Sequence, residues 1–255
     1  MPTQGNYDGG GRVSVFDPAI NPTFASGLWP TCPLWEHNHD PSVGVLLDEN
    51  FVSYDAASTT GDYLLTQATT GTAAISTTVP GALLIDAGST TAEQGANIQR
   101  LKSAFVPAAN KSLWYETTIL LTATTPPVTK AAIFVGLAAS DTTIFASGLQ
   151  TTNNRIGWQI ETTGNLTTTF TSDKAGVATT KTGPTLTAAT AVKLGFYYDG
   201  RADTVQQFVD GVASGTPVAT THIPKVVVYP SWVVQSDGTD RPNLIVRGVR
   251  VFQLR

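Results

Sequence analysis

Five consecutive residues, Glu36-His37-Asn38-His39-Asp40, hold two of the three histidines of the chain and two carboxylates, all side chains that ligate metals. An i, i+2 histidine pair ligates from an extended segment and needs a third ligand from elsewhere, and the only other histidine is His222. The plainer reading is a polar loop before Pro41, so no metal and no cofactor are expected. Cys32 lies near these histidines, but a Cys–His pair acts only when a fold holds it rigidly. Between Thr31 and Pro33 it reads instead as a small apolar residue. Glycoside hydrolysis uses two carboxylates about 5–10 Å apart. The five glutamates are Glu36, Glu49, Glu93, Glu116 and Glu161, and none has a carboxylate two or four residues away on a clear strand face. Asp199, Asp203, Asp210, Asp237 and Asp240 lie in turns that would suit calcium, yet Asp199-Gly200 and Asp210-Gly211 already have a turn to form. Tyr229 or Trp232, beside Pro230, would stack on a sugar if exposed; the commoner fate is packing between sheets. No Gly-x-Ser-x-Gly, phosphate loop or dinucleotide fingerprint occurs, and no enzymatic activity is expected.

The elements that would position such residues are β-strands. Threonine is abundant, and it suits a pleated surface better than a helix. At 255 residues one sandwich domain is the economical prior. Charged residues make up only 13% and the net charge is −4, which argues against nucleic acid, since neutralising phosphates takes clustered Lys and Arg. Arg247, Arg250 and Arg255 come nearest to a cluster and are read as the outer face of a strand. One cysteine allows no intrachain disulfide, no apolar run reaches membrane-spanning length, and Met1–Gly11 lacks the apolar core of a signal. The expectation is assembly in a reducing cytoplasm, with no membrane partner. The sequons at Asn110 and Asn165 are then chance matches.

Residues 1–42 differ from the rest. They carry Pro2, Pro18, Pro22, Pro30, Pro33 and Pro41 and the run Gly9-Gly10-Gly11, which excludes them from a core sheet. They also carry Phe16, Phe24, Trp29 and Trp35, too many aromatics for an idle tail. This predicts an extended arm that buries those four on its own sandwich, on a sister subunit or on another protein. Residues 43–255 form the sandwich domain. Strands are expected over Val43–Leu47, Asp62–Gln67, Ala82–Asp86, Ile98–Val106, Ser112–Thr122, Ala131–Ala138, Asn154–Glu161, Leu166–Thr171, Val192–Tyr198, Val205–Val209 and Leu244–Leu254. Within NRIGWQIE, Ile156, Trp158 and Ile160 form a packed face, and Arg155, Gln159 and Glu161 a wet one. The parity of the last strand breaks at Gly248, which predicts a bulge. Ten to fourteen strands in two antiparallel sheets follow.

From Ser112 to Arg255 the order SLWYETTILL, IFVGLAASD, NRIGWQIE, KLGFYYDG, QQFVDG and LIVRGVRVFQL resembles the concanavalin-like (laminin-G-like) jelly-roll sandwich. The resemblance implies an all-β, antiparallel jelly-roll β-sandwich, here with an extended N-terminal arm. That fold hosts lectins, glycosidases, adhesion modules and viral structural proteins. Its sandwich glycosidases carry Glu-x-Asp-x-x-Glu on one strand, a pattern missing here. The whole chain, with LLDENFVSYDA after an aromatic arm, also resembles capsid decoration (cement) proteins of tailed bacteriophages. This second resemblance implies a virion structural protein that bridges neighbouring capsomers. Its partners would be the major capsid protein and further copies of itself, as a homodimer or homotrimer, with Phe16, Phe24, Trp29 and Trp35 as anchors. The alternative is a carbohydrate-binding or adhesion module of a phage tail or fibre, with a glycan as partner.

Overall fold

Alternating β-branched and polar residues, punctuated by Gly and Asp turns, fold into strands along most of the chain. The computed structural model describes residues 7–8, 12–13, 27–55, 61–122, 131–142, 154–160, 166–219 and 221–255. In chain order the strands are β1 (Tyr7–Asp8), β2 (Arg12–Val13), β3 (Gly44–Glu49), β4 (Leu64–Ala68), β5 (Thr72–Ile75), β6 (Leu83–Asp86), β7 (Gly95–Gln99), β8 (Leu113–Leu121) and β9 (Ala132–Ala138). They continue as β10 (Arg155–Ile160), β11 (Thr167–Lys174), β12 (Val177–Thr185), β13 (Ala191–Asp199), β14 (Thr204–Val209), β15 (Val212–Ala219), β16 (Tyr229–Gln235) and β17 (Asn243–Leu254). A single α-helix, α1 (Leu34–His39), is described.

Two antiparallel sheets face each other. The seven-stranded one has the order β12-β11-β10-β9-β16-β7-β4. The eight-stranded one has the order β15-β14-β13-β8-β17-β6-β5, with β3 on β17. Between them lies one apolar core, in which Tyr115 stacks on Phe196 at 5.0 Å and Phe170 meets Phe196 edge-on across the gap at 5.6 Å. The sheets hold fifteen strands among the described residues, one more than the upper expectation. Four of them had no counterpart among the expected strands: β5 is a short edge strand, β12 and β15 are exposed edges rich in Thr, Gly and Pro, and β16 begins at Tyr229-Pro230.

β17 organises the larger sheet. Its first half pairs with β6 and its second half with β3, while β8 runs along its other side. The register slips between Val246 and Gly248, at the predicted bulge, and Thr117 Oγ1 donates to the Gly248 carbonyl at 2.8 Å. The slip lets Leu244 and Val246, then Val249 and Val251, all reach the core. The expected strand Ile98–Val106 is corrected to Gly95–Gln99. At Arg100 the chain turns, with Ser103 N–H bonding the Arg100 carbonyl at 3.2 Å, and the Arg100 guanidinium pairs with Glu49 and Tyr63. Phe105 then rejoins only as a bridge to Val228.

The arm is also corrected where it is described. Trp29–Thr31 and Pro41–Val43 are 3₁₀ turns and Leu34–His39 is helical, so this stretch is coiled rather than extended. It lies on its own sandwich. Leu28 is buried with Trp114, Phe208 and Phe252 of the larger sheet, and Trp29, Cys32, Leu34 and Val43 pack around them. Trp114 Nε1 donates to Thr31 Oγ1 at 3.2 Å. The larger sheet therefore has apolar cover on both faces.

Candidate functional site

On the smaller sheet, alternation sends Ile98, Val135, Ile156, Trp158, Phe170 and Trp232 inward. The residues between them form the outer face, and cross-strand pairing arranges them in rows. One row runs Leu64, Gln99, Ser231, Gly136, Gly157 and Thr171. The next runs Thr66, Asn97, Val233, Phe134, Gln159 and Thr169. Gln235 stands beyond Val233 on β16, diagonal to Asn97. Gly136 and Gly157 sit opposite each other at the centre, where a Cβ on either would come 2.7 Å from the other's Cα.

This face was expected to be wet. Instead Arg155 and Gln159 are buried, and so are Asn97, Gln99, Thr171, Asp173, Ser231 and Gln235. A buried polar group normally finds a partner. Gln99 does so completely. Its Nε2 donates to the Ala139 carbonyl (3.0 Å) and Ser231 Oγ (2.9 Å), and its Oε1 accepts from Asp141 N–H (2.8 Å). Asn97 is half satisfied: Nδ2 donates to the Asp141 carbonyl at 3.1 Å, while Oδ1 has no hydrogen-bond partner. Thr66 Oγ1, Thr171 Oγ1 and both amide atoms of Gln235 are likewise buried without one. Asn97 is 0% exposed and Gln235 1%.

The charges on this face sit next to each other. Arg155 and Asp173 are cross-strand neighbours, and the guanidinium lies 5.8 Å from the centre of the Phe134 ring. Burial pushes the Asp173 carboxyl above its ordinary range, against the Gly176 N–H and the nearby Arg155 and His222. Phe134, Ala138 and Val233 form a small apolar patch beside the open groups. The layer outside the seven-stranded sheet thus combines buried hydrogen-bond donors and acceptors, several of them unpartnered, with a buried apolar patch.

The residues singled out from sequence are not brought together here. Phe16 and Phe24 lie outside the described residues. Trp29 is half-buried beneath the Arg250 guanidinium, 5.4 Å from its ring centre, and Trp35 is 51% exposed with its ring against His39 at 4.5 Å. His37 turns to Phe252, and His39 Nδ1 meets the Trp35 carbonyl at 2.9 Å, so the two histidines have separate surroundings. Among the described residues no group of three His, Cys, Asp or Glu is placed to hold a metal ion. Burial raises the Cys32 thiol far above its ordinary range. Asp199 and Asp237 accept backbone N–H groups of their own turns, and Asp210 accepts Lys193 N–H at 2.9 Å. Trp232 packs between the sheets.

Asn97, Gln99 and Gln235 had no place in the sequence-level expectations. The available signal was weak: single amides at alternate positions in the otherwise apolar runs GANIQ and SWVVQ.

No protein-family model matches the chain, and no curated protein matches it in sequence. Solved structures resemble it in fold. Peanut lectin, solved with a nine-residue peptide, superposes with a TM-score of 0.58 at 13% identity, over 82% of this chain and 97% of its own. Lectin II from Ulex europaeus gives 0.58 at 12% identity, over 84% of this chain and 100% of its own. The β-glucanase of Bacillus licheniformis gives 0.56 at 12% identity, over 82% and 97%. The concanavalin-like jelly-roll sandwich is therefore the fold of this chain.

Proposed function

We propose that the chain is a carbohydrate-binding module that holds a saccharide on the outer face of its seven-stranded sheet without turning it over. The observation that carries this reading is the set of buried, unpartnered hydrogen-bonding atoms of Thr66, Asn97, Thr171 and Gln235. An unmet buried polar atom costs about 1–3 kcal/mol, and a ligand rich in hydroxyl groups would remove that cost on binding. The likeness to lectins supports this alternative over capsid decoration. Binding is favoured over hydrolysis because the described strand residues of the face carry one carboxylate, Asp173, where glycoside hydrolysis uses two. A glycan array probed with the whole chain tests the reading. Selective binding, lost in an Asn97→Ala/Gln235→Ala double variant that still melts cooperatively, is expected; absence of any glycan signal would sink it.

Capsid decoration keeps one specific observation, the half-exposed Trp35 on the arm. An indole in that position suits burial against another protein surface. Trp35→Ala should then lower co-sedimentation with purified shells, and unchanged occupancy would remove this reading. The virion location, the capsid partner and the homo-oligomer belong to this second proposal.

A further inference from the structure

The peptide bond Asp40-Pro41 joins the docked arm to the sandwich. Before it α1 ends, and the Asp40 N–H bonds the Glu36 carbonyl at 2.8 Å. After it the 3₁₀ turn Pro41–Val43 leads into β3. Asp40, Pro41 and Ser42 are exposed, so water reaches the joint. An aspartate before a proline is a reactive pair. Its carboxylate is a nucleophile that closes a five-membered ring on its own carbonyl carbon, and proline leaves as a secondary amine because its nitrogen carries no amide hydrogen.

The backbone arranges both halves of that attack. Ser42 N–H donates to Asp40 Oδ1 at 2.9 Å, which holds the carboxylate on the side of the peptide that follows it. Val43 N–H donates to the Asp40 carbonyl oxygen at 3.1 Å, so a donor already sits where negative charge would develop. Asp40 is extended (φ −139°, ψ 96°), as a residue before proline should be. The other charged or titratable groups at the joint are Glu36, His37 and His39 of α1, and Arg255, whose N–H bonds the Val43 carbonyl at 3.2 Å.

We infer that Asp40-Pro41 is a self-cleaving bond, a processing site that separates the arm from the sandwich. A carboxylate oxygen of Asp40 attacks the Asp40 carbonyl carbon and closes a cyclic anhydride. The C–N bond breaks, its electron pair stays on the Pro41 nitrogen, and a solvent proton makes that nitrogen the new amino terminus. One water molecule opens the anhydride, leaves Asp40 with a side-chain and a terminal carboxylate, and returns a proton; nothing is oxidised or reduced. The pieces stay together, because Leu28, Trp29, Cys32 and Leu34, all before the break, pack on Trp114, Phe208 and Phe252. Cleavage thus turns the arm into a releasable cover for that apolar face, whatever the sandwich binds.

Mass spectrometry of the whole chain, incubated folded and in urea at about pH 5, near the ordinary aspartate range, tests this. The folded chain should yield residues 1–40 and 41–255 at least about tenfold faster than the unfolded one, since unfolding removes the alignment. In urea the bond should react at the rate of the chain's other Asp-Pro pair, Asp17-Pro18. Asp40→Asn keeps an oxygen for Ser42 but has no carboxylate, and Pro41→Ala restores an N–H amide; each should cut at least about tenfold more slowly. The two pieces should co-elute until urea is added. An intact folded chain, a folded rate no higher than in urea, or undiminished cutting of Asp40→Asn, as a contaminating protease would give, would each overturn self-cleavage. Pieces that separate without denaturant would overturn the docked cover.

Discussion

Buried on β11, the Asp173 carboxyl titrates high because desolvation outweighs the Gly176 N–H, Arg155 and His222 that favour its charged form. A folded-state value above the unfolded one means that this group adds stability below the ordinary aspartate range. That contribution is lost as pH rises through the folded value. Asp173→Asn keeps an oxygen for Gly176 and removes the ionisation. The variant should show a flatter fall in unfolding free energy as pH rises above about 4, the ordinary aspartate value, read by urea titration; an unaltered slope would contradict the assignment. Cys32 gives a second residue-level test. Its thiol is half-buried in the docked arm and raised by that burial, so little thiolate forms near neutrality. Alkylation of the native chain should run at least about tenfold slower than in urea, and equal rates would show an undocked arm.

The arm turns and β17 are the elements on which the larger sheet depends. Leu28 is buried among Trp114, Phe208 and Phe252, and its Cδ2 lies 2.8 Å from where a Cβ on Gly195 would stand. Leu28→Ala should cost about 2–4 kcal/mol, measured by denaturant unfolding, and a loss near zero would mean the arm contributes no cover. Removal of residues 1–42 would bare Trp114, Phe208 and Phe252, so the truncated sandwich should lose solubility rather than merely lose a partner. Gly44, at the start of β3, shows how tightly this layer closes. A Cβ there would fall 2.3 Å from Phe252 Cζ and 2.7 Å from the Gln253 carbonyl oxygen. Gly44→Ala should therefore separate β3 from β17 and speed exchange of their paired amides, which hydrogen exchange would detect; unchanged protection would refute the packing.

At the scale of the molecule, one sandwich hides apolar surface on three levels: between its sheets, beneath the arm, and in the small patch of Phe134, Ala138 and Val233. A ligand bound only by the folded form stabilises it by mass action, about 2.7 kcal/mol at a hundredfold excess over Kd. A glycan at that excess should raise the Tm by about 5–10 °C in a domain of this size, and a panel without shifts would count against the site. Much of the architecture was legible in the residues. Strict alternation in AVKLGFYYD and RIGWQI fixed which side chains face the core, and the break at Gly248 marked the bulge in β17. The Asp210-Gly211 turn followed from its composition, with both residues at positive φ. Those patterns are local, because a strand's period and a turn's dihedrals depend on near neighbours alone. Alternation divides a strand into two faces, but it does not say whether the second face meets water. Arg155 and Gln159 read as solvent-facing and proved buried, and Asn97 and Gln235 drew no notice until β7 and β16 were placed side by side. Whether a polar side chain is satisfied depends on atoms more than a hundred residues away in the chain, as Gln99 and Ser231 show. Hydrogen bonding acts through space at about 3 Å, so the sheet order, and not the order of residues, created the candidate site.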